Sequence, residues 1–137
     1  MDIPLKDRSN YLRGLLILAK KKGYVSQSDE TIISHVSGKL GFSSRFCEET
    51  LSTLLENDFI NGEPVRFVNK VFAKSFISDA LKLACTRTSI NPEELNWIKR
   101  SAETNHLNHK WFANELARCR CLVHKPTPTQ LTLYSII

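Results

Sequence analysis

The sequence predicts an all-α fold, a single-domain helical bundle of about six to seven helices that spans residues 1–137. Apolar residues recur at three- and four-residue spacings along most of the chain, which is typical of helices with one buried face. Only five glycines and five prolines occur in 137 residues, fewer than many short strands would need. Because 42% of the residues are hydrophobic, one packed core is available to a chain of this length.

Serine residues are expected to cap the first three helices, because a serine hydroxyl accepts a hydrogen bond from a backbone N–H of the first turn. The expected caps are Ser9, then Ser26 or Ser28, then Ser43. Gly23 and Gly41 are expected to end the first two helices, since glycine adopts the left-handed conformation readily. The residues expected to face the core are Leu12, Leu15, Leu16 and Ala19; Ile32, Ile33, Val36 and Leu40; and Phe46, Leu51, Leu54 and Leu55.

Three further helices are predicted after a turn-rich break in the middle of the chain. The longest periodic segment, 68–84, is apolar on more than one side and is therefore expected to be the central helix. Asn91 is expected to cap the next helix, with Pro92 in its first turn and Glu94 returning a hydrogen bond to the cap. Asn108 is expected to cap the sixth.

Shifting the sequence against itself by about 65 residues aligns two segments with one pattern. Residues 18–29, LAKKKGYVSQSD, align with residues 83–94, LACTRTSINPEE. Each segment contains a helix end, a short turn, one aliphatic residue, a cap and an acid. We therefore predict repeat units at about 10–56 and 65–120, followed by a non-helical C-terminal tail, 121–137, that packs on the bundle.

The doubled pattern resembles the TerB-like family, which is known for tellurite resistance and is related to the amino-terminal domain of a DnaJ-type co-chaperone. In that family a helix ends in Ala-Asp-Gly, an aliphatic residue stands two positions after the glycine, and a glutamate opens the next helix, all occurring twice. The resemblance covers roughly residues 10–107 and rests on spacing, helix order and a few residue types. It implies an all-α bundle in which the two turns meet about an approximate two-fold axis.

The charges of the two turns depart from the family pattern. Where the family carries aspartate in each turn, this chain has Lys22 and Arg87, while the acids of the following helices remain as Asp29 and Glu94. The resemblance implies a metal-binding surface of clustered acids, but calcium and magnesium require six or more oxygen ligands with several carboxylates among them. Two acids beside two cations do not supply these, so we expect a degenerate metal site and no cofactor. Each cation lies seven residues before an acid and could pair with it.

Lysine and arginine outnumber aspartate and glutamate by 19 to 14, a formal charge of +5 that favours acidic partners. We expect a non-enzymatic protein-interaction or adapter module of the TerB-like type, acting in a bacterial stress-response or defence assembly. Its expected binding surface surrounds the paired turns and consists of Lys20, Lys21, Lys22, Asp29, Arg87 and Glu94. The alternative is a nucleic-acid-binding accessory protein whose basic residues contact phosphate: Arg13, Lys20 to Lys22, Lys110, Arg118 and Arg120.

Other site chemistries have little support in the sequence. A metal-dependent hydrolase built on the remaining acids is a third hypothesis. Cys119, Cys121 and His124 lie within six residues, but without the spacing of a closed zinc site. No nucleophile–base pattern, glycine-rich phosphate loop or dinucleotide fingerprint is present, so we expect no enzymatic activity. Trp97 and Trp111 are interpreted as packing residues.

The sequence also bears on where the protein works. The four cysteines show no secreted-type spacing and no signal peptide precedes them, so we expect reduced thiols and a cytoplasmic location. The longest apolar run, residues 15–19, is far shorter than the roughly 18 residues of a spanning helix. A membrane surface would be reached only through a partner or the basic residues, and the oligomeric state stays open.

Overall fold

The computed structural model describes residues 2–58, 60–86 and 88–137, and this part of the chain contains seven α-helices and no strand of a sheet. The prediction of an all-α helical bundle is confirmed. The helices are α1 Leu5–Lys22, α2 Gln27–Lys39, α3 Ser44–Ser52, α4 Lys70–Ala84, α5 Pro92–Thr104, α6 His109–Cys119 and α7 Leu133–Ile136, with short 3-10 helices at Leu54–Glu56 and Pro128–Gln130.

α1 and α4 pack against each other in the middle of the bundle, and ten of the fifteen residues of α4 are buried. This agrees with the central position predicted for that helix. The two helices approach closely at Gly14, because a Cβ at that position would stand 2.3 Å from the ring of Phe76. Beside this contact, the hydroxyl of Tyr11 is hydrogen-bonded to Ser75 at 2.6 Å and donates to the carboxylate of Asp79 at 2.7 Å. A polar cluster therefore joins α1 to α4 inside the apolar core.

Four of the predicted caps are confirmed. The side-chain oxygens that accept a backbone N–H of the first turn belong to Ser26, Ser43, Asn91 and Asn108. The prediction for α1 is wrong, because that helix begins at Leu5 and Ser9 lies inside it. Pro4 stands directly before the first helical residue, and its own φ is −54°. The fixed φ of a proline suits a helix start, and α1 begins there without a side-chain cap.

Corresponding helices of the two halves begin 65 residues apart. The pairs of first residues are Leu5 and Lys70, Gln27 and Pro92, and Ser44 and His109. The turns after α2 and α5 also correspond, since Gly41 and His106 both have positive φ, 91° and 57°. The next residue in each turn, Phe42 or Leu107, donates its N–H to the carbonyl five residues earlier. These spacings match the repeat of about 65 residues, while the two-fold relation between the halves stays a prediction.

Four residues predicted to face the core are exposed instead: Phe46 and Leu55, and, from the segment 68–84, Val68 and Val71. Phe46 and Leu55 lie at the surface, whereas Leu54 is buried as predicted and Cys47 is buried in addition. α3 ends at Ser52, so the helical stripe assumed for this segment stops before Leu55. Val68 is exposed because it lies ahead of α4 rather than within it.

The C-terminal segment differs from the non-helical tail predicted for residues 121–137, since it contains a 3-10 turn and α7. The carboxylate of Asp79 explains this, because it accepts the backbone N–H groups of Thr132 and Leu133 at 2.5 and 3.1 Å and so caps the start of α7. Leu131 and Leu133 are buried beside it. Across the described ranges, none of the helices combines the length and apolarity that a membrane crossing requires.

Candidate functional site

The paired-turn site, defined here as Lys22, Asp29 and Glu94, lies where the ends of α1 and α4 meet the starts of α2 and α5. In its first half, Lys22 closes α1 and Gly23 reverses the chain with a φ of 84°. The Lys22 side chain is only 9% exposed, and its Nζ lies 2.5 Å from Oδ2 of Asp29. The predicted pairing of these two residues is therefore present.

The Asp29 carboxylate is also part of the cap of α2. It accepts the backbone N–H of Ser26 at 3.0 Å, while the Ser26 hydroxyl accepts the N–H of Asp29 at 3.1 Å. Burial tends to raise the pKa of Asp29, but the hydrogen bonds from Lys22 and Ser26 outweigh it and hold the pKa below its ordinary value. Asp29 is thus held as an anion by the fold.

Glu94 occupies the corresponding position of the second half but has a different environment. Its residue is 4% exposed, and its backbone N–H is accepted by Oδ1 of Asn91 at 3.0 Å. The predicted return bond to the cap is not formed, and within the described residues no hydrogen bond or ion pair reaches the Glu94 carboxyl group. Burial raises its pKa to about 7, against the lowering effect of the positive charges of Lys22 and Lys125.

The three residues of the paired-turn site line one small cavity. Its remaining walls are apolar side chains of α1, α2 and α4, and its free volume of about 20 Å³ suffices for roughly one water molecule. The structure therefore brings Lys22, Asp29 and Glu94 together, as the sequence predicts. Arg87, the fourth residue predicted at this site, lies outside the described residues.

The chemistry of this site is that of one ion pair next to one protonatable acid. A divalent ion would have to displace the Lys22 ammonium from Asp29 and also draw the proton from Glu94. In the described ranges no group of three or more histidine, cysteine or acidic side chains could hold a metal ion. The segment that contains Cys119 and His124 belongs to these ranges and forms no such group either. At pH 7 Asp29 is ionised, whereas Glu94, with a pKa of about 7, is protonated in about half of the molecules.

The other two lysines of the predicted surface have different environments. Lys20 donates from its Nζ to the carbonyl oxygens of Asn57 and Ile60 at 2.6 and 3.0 Å, which fastens the loop after α3 to α1. Lys21 lines a separate shallow groove beside Gly62. Successive helical residues point about 100° apart, so three consecutive lysines do not share one face. The ammonium groups of Lys20 and Lys22 therefore stabilise the fold, although both residues were predicted to belong to a binding surface.

A second candidate site was missed by the sequence analysis and is called here the α4–α6 groove. It lies between α4, α6 and α7 and has a volume of about 390 Å³. Its apolar wall consists of Val71, which is 44% exposed, together with the half-buried Trp111 and Ile136. The sequence contained no signal for it, because apolar spacing alone assigns Val71 and Trp111 to the core.

Charged side chains form the rim of the α4–α6 groove. The Nζ of Lys74 lies 5.6 Å from the centre of the Trp111 ring, within the range of a cation–π contact. Lys82 donates to Oγ1 of Thr132 at 2.9 Å. Glu115 accepts hydrogen bonds from Arg118 at 2.8 Å and from Ser78 at 2.9 Å.

The first half of the chain has a groove in the corresponding place, between α1, α3 and the segment that follows α3. Its volume is about 250 Å³, and its walls include the stacked rings of Phe42 and Phe46, whose centres are 5.7 Å apart. Phe46 and Trp111 are 65 residues apart in the sequence, so each half places one partly exposed aromatic side chain beside a groove.

Comparisons with protein families, with curated proteins and with solved structures find no match to this chain. The TerB-like resemblance therefore rests on the residues of the two turns.

Proposed function

We propose that this chain is a non-enzymatic protein-interaction module, an adapter of the TerB-like type. The observation that carries the proposal is the α4–α6 groove, an open groove with an apolar wall and a half-buried tryptophan. Tryptophan is among the residues that contribute most binding energy at protein interfaces, and grooves between helices receive the apolar side chains of partner segments. Trp111 is the residue that would anchor such a partner.

In this proposal the paired-turn site is a degenerate metal site with a structural role. The Lys22 ammonium supplies the positive charge at Asp29 that a cation would supply in the family, and Glu94, with a pKa of about 7, is partly protonated near neutral pH. Calorimetric titration with calcium, magnesium, manganese and zinc should therefore give no binding heat. A stoichiometric signal that disappears in Asp29→Asn would contradict this role.

The setting of the adapter follows from the TerB-like resemblance. We assign it to a bacterial stress-response or defence assembly in the cytoplasm, with tellurite resistance as one such response. Neighbouring genes in the source genome would test this assignment, because components of one assembly are often encoded together. Neighbours with no link to stress response or defence would count against it.

The adapter function is tested by capturing a partner and then reconstituting its binding. The tagged chain is used on a lysate of the native host, and the captured protein is then purified and titrated against the isolated chain. We expect direct binding that Trp111→Ala weakens at least about tenfold, as truncation of a central interface aromatic does. Thermal melting shows whether Trp111→Ala is folded. If it is not, Val71→Glu replaces it as the test variant, because it places a charge on the same wall of the groove. Direct binding that neither variant changes would contradict the groove as the binding site.

The second candidate function is nucleic-acid binding, which the formal charge of +5 and the exposure of Lys110 on α6 and of Arg120 directly after it favour. Titration of labelled duplex DNA and single-stranded RNA at 50 and 200 mM salt separates the two proposals. Phosphate contacts release counterions, so a nucleic-acid-binding protein must lose affinity steeply over this range. For an adapter we expect no salt-sensitive binding to either nucleic acid, even at 50 mM salt.

A further inference from the structure

We infer that the partner segment for the α4–α6 groove is an acidic amphipathic helix, whose apolar residues pack against Trp111 and Val71 and whose carboxylates face Lys74. This inference rests on the proposed adapter function and adds the chemistry of the partner. It is carried by the shape of the groove, by the balance of charges along its rim, and by the contact between Lys74 and Trp111.

The groove is long enough for a helix. Its α4 wall extends from Val71 to Lys82 through lining residues at three- and four-residue spacings, a length of about 16 Å at 1.5 Å per residue. Its α6 wall extends from Trp111 to Arg118, about 10 Å by the same measure. A helix of about three turns would contact both walls with residues at positions i, i+3, i+4 and i+7, as helix-in-groove complexes do.

The charge balance selects an acidic occupant. The groove is lined by three cations, Lys74, Lys82 and Arg118, and by one acid, Glu115. Glu115 is already hydrogen-bonded to Arg118, and the ammonium of Lys82 lies 3.8 Å from the carboxylate of Asp79. Within the described residues, Lys74 has no carboxylate partner. A carboxylate of the partner would complete this pair, whereas a basic partner would place like charges together.

The position of Lys74 above Trp111 joins the apolar and the charged parts of the groove. A cation over an aromatic face gains more when both groups leave water, so covering the ring with a partner helix strengthens the contact. A carboxylate that arrives with the partner then offsets the cost of removing the ammonium from water. Lys74 and Trp111 are therefore expected to act together in partner binding.

Two synthetic 18-residue peptides test the inference on the full chain. Both carry leucine at helical i, i+3, i+4 and i+7 spacing; one has glutamate and the other lysine beside the leucines. Tryptophan fluorescence is the readout, because Trp97 is 1% exposed and a change on binding reports Trp111. The variant Trp111→Phe should lose the fluorescence change, which shows that Trp111 is its source. Peptide binding to this variant is then measured by calorimetry. We expect the acidic peptide to bind with a Kd on the order of 10 μM and at least about tenfold more tightly than the basic one.

Two matched variants locate the binding. Lys74→Glu should raise the Kd of the acidic peptide at least about tenfold. Lys99→Glu makes the same change at an exposed position of α5 and should change this Kd less than about twofold. Raising the salt concentration from 50 to 300 mM should raise the Kd of the acidic peptide several-fold, because salt screens exposed ion pairs. Equal binding of both peptides, equal effects of the two variants, or no binding of the acidic peptide would overturn the inference.

The outcomes separate this inference from the adapter proposal. Suppose that a captured natural partner binds Trp111→Ala more weakly than the wild type but binds Lys74→Glu equally well. This result would support the adapter proposal and overturn the inference that the partner segment is an acidic helix. Sedimentation of the chain alone tests the other occupant, a second copy of the same protein. A dimer that Lys74→Glu dissociates would assign the groove to self-association and overturn the inference, whereas a monomer at all concentrations supports it.

Discussion

Replacing Glu94 with glutamine should abolish much of the pH dependence of stability between pH 4 and pH 8. Glu94 is buried, and its pKa of about 7 in the folded chain lies above the ordinary value of 4.5. An acid whose pKa is raised on folding stabilises the native state fully below its unfolded pKa. That stabilisation is lost as the pH rises through the folded pKa. Glutamine resembles the protonated acid and does not titrate.

The size of the effect follows from the shift in pKa. The difference between 4.5 and about 7 corresponds to about 3 kcal/mol at 1.36 kcal/mol per unit. The adjacent cavity admits water, which screens the carboxylate in part, so we expect about 2 to 3 kcal/mol. The free energy of unfolding of the wild type, relative to Glu94→Gln, should fall by this amount between pH 4 and pH 8.

Urea denaturation at half-unit pH intervals measures this difference. Glu93→Gln is the matched control, because Glu93 precedes Glu94 in the same helical turn but is exposed, and its profile should run parallel to that of the wild type. If the profiles of wild type and Glu94→Gln stay parallel within about 0.5 kcal/mol over this range, the reasoning about the buried carboxyl group is refuted.

Four further substitutions test the helix packing and the C-terminal segment. Gly14→Ala should destabilise the fold by about 3 kcal/mol in urea, since the new methyl group meets the Phe76 ring; Gly38→Ala, where nothing lies within 4 Å, should instead stabilise by about 0.5 to 1 kcal/mol. Asn105→Ala should cost about 2 to 4 kcal/mol in the same assay, because its buried amide makes three hydrogen bonds of 2.8 Å to backbone groups. Asp79→Ala should speed amide hydrogen exchange in the first turn of α7 while α2 keeps its protection. Unchanged stability or exchange would contradict each in turn.

Helix starts were predictable where a polar cap determines them locally. Ser26, Asn91 and Asn108 each stand directly before an apolar periodic segment, and their side chains make the expected hydrogen bonds. The start of α1 was not predictable in this way, because Pro4 provides no side-chain bond. The helical tail was missed as well, since α7 is capped by Asp79 of α4, a residue more than 50 positions earlier.

The candidate sites show the same division between local and distant causes. The pairing of Lys22 with Asp29 was predicted because both residues flank one turn. The burial of Glu94 was not, because an acid in a first helical turn is usually solvated and its environment here comes from the ends of α1 and α4. The exposure of Trp111 depends on where α6 lies against α4, which no spacing in the sequence records.

The carboxylate of Asp7 ties the beginning of α4 to the beginning of α1. Asp7 is fully buried and accepts the N–H groups of Val68 and Asn69, which lie 61 and 62 residues later in the chain. During synthesis, the Asp7 carboxylate thus lacks these hydrogen-bond donors until residues 68 and 69 have left the ribosome. Long-range closure of this kind slows folding. We therefore expect α1 to consolidate only after α4 is available, although α1 is synthesised before α4.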